Sequence, residues 1–466
     1  MTIGAGARRR ASAERRDRRA QGGAGAKGAS VDAGGRFSFT DLQGRALRDG
    51  ACRVELTAER LVVLPDGGAP FSCDLGEIDD FQLTDYDLRL GLLGGWRFVF
   101  GQMGRALPGF ALALRNQWRD RLARCLLVEE EKELGRFDVV VRRDGEGALA
   151  EGQAQIRVYA SHLAVLPPGP GAFVVPLAGL RALRFDDASY AVELEDARGR
   201  TTISHMARET ANVRRLLREA TEDRARLGAH VVEMLFPFLD PLTIAKVAAA
   251  VPETRLAALQ DLARIDPRLP TALSDRAVSP ERKAYYGALA VQATGRAFAS
   301  YKFVPAADLE DDGGAAEAAE DEATGSVAEW DPGYETTRPA TRDEAVLAPL
   351  FSFFFPLVSP GRGLTLAWEA TSASARATYL FAADPADRDV PEAAAERLNA
   401  ALARIGYRRE PIYVSDEQLE RDPRFAHYAV GIKRAPELAW LRARFVGRAV
   451  HTTTDVWGAQ MQRLLG

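Results

Sequence analysis

The chain is poor in the residues that perform chemistry. Among 466 residues there are three cysteines and five histidines. Cys52, Cys73 and Cys125 are odd in number, lie in the first third and form no C-x-x-C pair. That excludes a disulfide framework and a paired-thiolate metal or redox centre, and it fits a reducing cytoplasm. No apolar run approaches the ~20 residues of a membrane span. No apolar core follows the N-terminal arginines, as a secretory signal would require. Lysine is also scarce: six of the 61 basic residues are Lys and the rest Arg. With Ala and Gly abundant, this bias points to a GC-rich bacterial gene. A net charge of −4 leaves no global field to draw the protein to nucleic acid.

What is present is ordinary globular composition, 47% hydrophobic and 27% charged, in a chain long enough for about three domains. Residues 1–34 carry eight basic residues against Glu14, Asp17 and Asp32 without apolar periodicity, the pattern of a disordered basic arm. A repeat follows. At an offset of 102, residues 54–83 match residues 156–185 at Ala58, Leu61, Val63, Leu64, Pro65, Gly67, Phe71 and Leu75. "GRF" at 35–37 recurs at 135–137. Such self-similarity is the mark of a duplicated domain.

Each copy alternates apolar and polar residues at strand spacing, with turns at Gly94-Gly95 and at 197–199, and then ends in an amphipathic helix. In the first copy Trp118, Leu122, Cys125 and Leu126 share a helical face; in the second, Val213, Leu216, Leu217 and Ala220 do. A run of short antiparallel strands closed by one helix resembles the pleckstrin-homology (PH)-like superfold. The Trp at position 118 strengthens the resemblance, which covers residues 35–130 and 135–222. It implies two antiparallel barrels, each plugged by its C-terminal helix. It also implies a ligand site of basic residues in the loop after the first strand: Arg45 and Arg48 in one copy, Arg142 and Arg143 in the other. These loops carry acids too, Asp41, Asp49, Asp144 and Glu146.

The remainder reads as three segments. Residues 225–303 form an α-helical module, with Asp240-Pro241 and Ser279-Pro280 as helix starts and a long helix over 279–303. Residues 304–342 form an acidic disordered linker, with eleven acids and no base between Asp308 and Glu335. Residues 343–466 form an α+β domain, with strands at "GLTLAWEA", "ARATYLFAA" and "REPIYV". Its helix from Pro391 is capped by Asp389 with Glu392 as capping-box partner. The apolar "LFSFFFPLVSP" packs beneath a helix start. The expected fold is thus multidomain α+β.

Catalytic spacing is missing. His162, His205, His230, His427 and His451 form no metal motif, and His451 with Asp455 in "HTTTD" reads as exposed polar residues. No Gly-rich stretch follows a strand as a phosphate loop must. No cofactor, metal or catalytic residue is expected. The chain reads as a non-enzymatic scaffold presenting its tandem domains to a protein partner in the cytoplasm. One alternative is a peripheral protein on anionic lipid, held by the Arg loops and basic arm. Another is an enzyme with its site in the C-terminal domain.

Overall fold

Among the described residues, alternating apolar positions fold fourteen segments between Val31 and Ser204 into strands. The computed structural model describes residues 31–127, 133–145, 148–196, 198–305, 347–370, 375–387 and 389–466. They fall into two compact units, divided between Arg121 and Leu122. The first unit contains β1 (Val31–Thr40), β2 (Ala46–Leu56), β3 (Arg60–Pro65), β4 (Phe71–Asp74), β5 (Ile78–Leu83), β6 (Asp87–Leu92), β7 (Arg97–Gly101) and most of helix α1 (Leu107–Cys125). Its strands form one antiparallel sheet in the order β4-β3-β2-β1-β7-β6-β5. Most of the expected basic arm, residues 1–30, lies outside the described residues, but Val31–Gly34 belong to β1.

Trp118 is buried in α1 because both halves of the indole are satisfied. Its ring stacks on Phe81 at 5.6 Å, and its Nε1 donates to the Ile78 carbonyl at 2.9 Å. Phe110 and Leu114, two turns and one turn earlier on the helix, are buried with it.

The second unit repeats the pattern with β8 (Glu133–Gly145), β9 (Leu149–Tyr159), β10 (His162–Leu166), β11 (Phe173–Pro176), β12 (Ala182–Asp186), β13 (Ala191–Glu195), β14 (Gly199–Ser204) and helix α2 (Thr210–Leu235). The sheet order is β11-β10-β9-β8-β14-β13-β12, position for position the first sheet again. The offset of 102 holds in the pairing: Val54 faces Val63 as Ile156 faces Val165. The "GRF" match does not hold. Phe37 faces Gly50 and Phe100, whereas Phe137 faces Ile156, the counterpart of Val54, and so occupies the place of Ala33. Register is set by which residues are buried, and a three-residue identity does not override it.

Helix α2 runs well past the expected end of the second domain. Val213, Leu216, Leu217 and Ala220 pack on the second sheet, while Val231 and Val232 enter a different core. Beyond it come α3 (Pro241–Ala250), β15 (Ala257–Ala258), α4 (Leu259–Ile265), α5 (Leu269–Ala277), α6 (Lys283–Gln292) and β16 (Phe298–Pro305). The expected helix over 279–303 therefore stops at Gln292. Asp240 caps α3 by accepting from the Leu242 and Thr243 amides.

Strand β16 pairs with β17 (Leu347–Ser359) along its whole length, from Phe298 opposite Phe354 to Pro305 opposite Leu347. The helical module and the C-terminal domain expected as separate bodies thus share one sheet. The rest of it is β18 (Gly363–Ala370), β19 (Ala377–Ala382) and β20 (Phe445–Val450), in the order β15-β16-β17-β18-β19-β20. Between β19 and β20 lie α7 (Pro391–Arg404), α8 (Glu410–Tyr413), α9 (Asp416–Arg421), α10 (Ala426–Arg434) and α11 (Pro436–Arg444); α12 (Thr454–Leu465) ends the chain.

Helices cover both faces of this sheet. One core joins Phe353, Phe355 and Leu357 to α2, α3, α4, α5, α6 and α12. The other joins Phe354, Trp368 and Tyr379 to α7, α8 and α11. "LFSFFFPLVS" is therefore a central strand, apolar on both sides for that reason, and not a loop beneath a helix. Pro356 is tolerated because β16 has ended there; its carbonyl accepts from the Thr294 amide instead. "REPIYV" is the short helix α8 rather than a strand. Helix α7 starts from Val390 without a side-chain cap, and the capping box belongs to Ser415 and Gln418 on α9.

Two outcomes follow. Trp118→Ala should cost about 3–5 kcal/mol in urea unfolding of the first unit, since it leaves both a cavity and an orphaned carbonyl. The expected linker, residues 304–342, loses Val304 and Pro305 to β16; Pro305 pairs with Leu347, and residues 306–346 between these two lie outside the described residues. Replacing them with a four-residue turn should preserve the circular dichroism spectrum. It should also raise stability by about 2 kcal/mol from loop-closure entropy.

Candidate functional site

Three turns of the first unit converge at one end of its sheet. Asp41 builds the β1–β2 turn: its carboxylate accepts from the Gln43 and Arg45 amides at 2.9 Å each and from Arg45 Nε at 2.7 Å. Desolvation pushes its pKa up, but the Arg45 guanidinium and the two amides outweigh this and hold it below the usual carboxylate range. Arg45 is thereby committed to its own turn. Arg48 lies across the Phe71 ring, 5.0 Å from its centroid, with its guanidinium against Gly68 in the β3–β4 turn. Leu42 covers Gly95 of the β6–β7 turn in the same way. Beneath them Phe39 stacks on Phe98 at 4.6 Å and meets the edge of Trp96 at 6.3 Å. Leu42, Leu47 and Trp96 remain 67%, 56% and 48% exposed. The result is an apolar tip with one cation flanking it.

The same end of the second sheet is built differently. Arg142 and Arg143, expected in a loop, both sit in strand β8, because the pairing with β9 and β14 extends through them. They point to opposite faces. Arg142 is exposed and pairs with Asp144 at 3.1 Å. Arg143 is buried: it donates to Thr201 at 2.7 Å, pairs with Asp196 at 3.1 Å and lies 4.8 Å over Phe173, the counterpart of Phe71. By register it replaces Phe39, so an ion pair plugs the end that aromatic rings fill in the first sheet.

The β13–β14 turn of that end is also engaged. Arg198 donates to Glu437 of α11 at 2.7 Å. Burial raises the Glu437 carboxyl, but its own amide, Arg404 and Arg198 together hold it below its ordinary range. Burial also brings Arg404 down to about 10, against the pull of Glu437. Of the four expected ligand residues, then, Arg45 alone lies in the loop after the first strand; Arg48 sits on β2 and reaches the same turn cluster from there, and Arg142 and Arg143 share only strand β8. Leu42, Leu47 and Trp96 were missed; the signal for them was Trp and Leu at Gly-rich turns, where no core is available to receive them.

His451 is not an exposed polar residue. Its side chain and that of Glu369 are both fully buried, with Nε2 and Oε1 3.3 Å apart. Thr378 Oγ1 donates to Glu369 Oε2 at 2.6 Å, lies 3.1 Å from His451 Nε2 and accepts from Trp457 Nε1 at 2.9 Å. His451 Nδ1 donates to the Ala375 carbonyl at 3.2 Å, and Tyr285 stacks on the imidazole at 4.2 Å. A nucleophilic triad needs the acid on the imidazole nitrogen opposite the hydroxyl. Here acid and hydroxyl share Nε2, so the hydroxyl is not activated. Asp455 is exposed, as expected. Among the described residues, no three His, Cys, Asp or Glu side chains are placed to hold a metal ion. No helix among them is long and apolar enough to cross a membrane.

No protein-family model matches the chain, and no curated protein matches it. Among solved structures, the Spt16D Pob3N heterodimer is similar over 37% of this chain and 85% of that chain, at 14% identity and a TM-score of 0.16. With a score that low, the fold rests on the chain's own sheet topology.

The two ends of β8 chemistry separate cleanly in stability. Asp196→Ala strands the buried Arg143 and should cost about 3–5 kcal/mol. Arg142→Ala, which breaks an exposed pair, should cost less than about 1 kcal/mol in the same urea titration.

Proposed function

We propose that the protein is a non-enzymatic binding protein whose two PH-like domains have divided their work, the first presenting its turn cluster to a protein partner. The PH-like reading is supported by one seven-stranded order occurring twice, by a helix after each last strand, and by the indole of Trp118 docked on the first sheet. The observation that carries the function is a contrast between sister ends. In the second domain this end contacts helix α11 through Arg198 and Glu437. In the first, Leu42, Leu47 and Trp96 stay in water. An end that binds a helix in one copy is suited to binding one in the other, and exposed apolar residues grouped at a turn cluster mark such surfaces. Trp and Arg are also the residue types that dominate binding energy at protein interfaces.

Anionic lipid is the second reading, because Trp96 and Leu42 at a loop tip could also enter a membrane interface, where Trp is enriched. Its weakness is electrostatic, since Asp41 already holds Arg45.

The test compares wild type, Leu42→Ser/Trp96→Ser and Arg45→Ala/Arg48→Ala in two assays. One is capture of partners from cells, and the other is sedimentation with phosphatidylserine vesicles at low and high salt. Capture lost at least tenfold in the apolar variant, with no vesicle binding, supports the protein-partner reading. Vesicle binding that falls with salt and is lost in the arginine variant overturns it in favour of lipid. Capture unchanged in both variants overturns the assignment of this surface.

A further inference from the structure

We infer that the start of α2, with the turn leading into it, carries a docking groove for the acidic and aromatic stretch "AEWDPGYE" at 328–335 of this same chain. The groove has a volume of about 670 Å³ and runs between the β12–β13 turn and the solvent face of the helix. Tyr190 forms its turn side; Arg208, Arg214, Arg215 and Arg218 outnumber Glu219 and Glu222 on its helix side. These arginines differ in what they have left to offer. Arg214 is held by Asp187 and by the Asp186 carbonyl, and Arg215 by Glu219 at 2.7 Å and Asn212 at 2.9 Å. Arg218 lies 5.0 Å over the Phe185 ring and forms no ion pair with any described residue. Arg208 is 93% exposed and meets its neighbour Glu209 at 3.5 Å. Two guanidiniums with donors to spare therefore line one groove, ten residues or about 15 Å apart along the helix axis, beside an exposed tyrosine.

The first domain shows what is particular to the second. Aligned on the buried pairs Phe110 with Val213 and Leu114 with Leu217, α1 carries Ala111 and Leu112 where α2 has Arg214 and Arg215. Leu112 and Arg215 are exposed alike, so packing does not call for the exchange. The added cations stand in the copy that belongs to the same compact unit as β16 and β17.

The occupant follows from charge and reach. Residues 306–346 lie outside the described residues, but their sequence sets eleven acids and no base between Asp308 and Glu335. The aromatic residues of that run, Trp330 and Tyr334, fall close together and are flanked by Glu329, Asp331 and Glu335. A solvated spacer has no use for aromatic side chains. Set among acids, they match a surface of guanidiniums and a tyrosine through ion pairs and cation–π contacts. Glu329 and Glu335 are six residues apart, about 20 Å when extended, which spans Arg208 to Arg218.

Both exits of the segment allow it. Arg224, two residues beyond Glu222 at the end of the groove, lies 5.9 Å over Phe303, two residues before β16 ends at Pro305. Going round the helix from there to Arg218 is a path of about 20 Å. The chain between Pro305 and Trp330 spans about 25 Å on average, and that between Tyr334 and Leu347 reaches about 40 Å when extended.

A dye on Ser326→Cys reports docking through its anisotropy in the full chain, and labelling is selective because Cys52, Cys73 and Cys125 are buried. The labelled protein is compared with Arg208→Ser/Arg218→Ser and with Trp330→Ser/Tyr334→Ser at low salt. The expected anisotropy is at least twofold higher than in either variant and unchanged on dilution. It falls to their level in 1 M salt, where charges are screened beyond about 3 Å. Equal anisotropy in the arginine variant overturns the groove, and equal anisotropy in the aromatic variant overturns the choice of stretch. A signal that falls on dilution overturns docking within one chain in favour of a second copy. Should the arginine variant not fold, Tyr190→Asn takes its place with the same two outcomes, since Asn tolerates the positive φ of 54° at that exposed turn.

Discussion

Strand β17 is the element on which the second unit depends. It is apolar on both faces, with Phe353 and Phe355 in one core and Phe354 in the other, so neither layer of helices has a floor until it is in place. Its partner β16 stands more than forty residues earlier, and their pairing begins at Pro305 opposite Leu347. Closing so long a loop costs only a few kcal/mol of entropy, far less than burying one such strand returns. The acidic segment is therefore an insertion carried by a hairpin, and the C-terminal half is not a body free to swing on a tether.

Helix α2 adds a second constraint. Its first half completes the second sheet and its last turns enter the larger core. At the junction Arg224 pairs with Glu253 at 3.4 Å and donates to the Ala160 carbonyl at 3.1 Å, while Glu253 accepts the Phe303 amide at 3.0 Å. Both charges are buried, so their geometry has to be satisfied together. The second domain is built into the C-terminal fold by a continuous helix and an ion pair. Its duplicate in the first unit is under no such obligation at its turn cluster, and this is the physical basis for reading the two copies as functionally divergent.

Much of the architecture was legible. Offset 102 is real in the ladder of β2, β3 and β4 because those strands share their inward residues with β9, β10 and β11. The helix faces at Trp118 and at Val213, Leu216, Leu217 and Ala220 were readable because 3.6-residue periodicity reports burial directly. The site was legible only in part. Arg45 lies in the β1–β2 turn, but Arg48, read as part of the same loop, sits on β2 because pairing with β1 reaches it, and that Asp41 would hold Arg45 is a matter of local geometry. Arg142 and Arg143 read as a loop because "RRDGEG" is polar; the strand continues through them in pairing with β14, where Thr201 on that strand and Asp196 in the β13–β14 turn receive Arg143.

Taken alone, the order of residues determined the duplication, the α+β class and the scarcity of catalytic groups, since each depends on composition or on near-neighbour spacing. Tertiary structure decided that residues 298–305 and 347–359 are partners, that His451 is buried beside Glu369, and that one turn cluster is engaged while its twin is open. Those facts arise between residues dozens to hundreds of positions apart. Periodicity states which face of a strand is apolar, and only the folded chain states what that face meets.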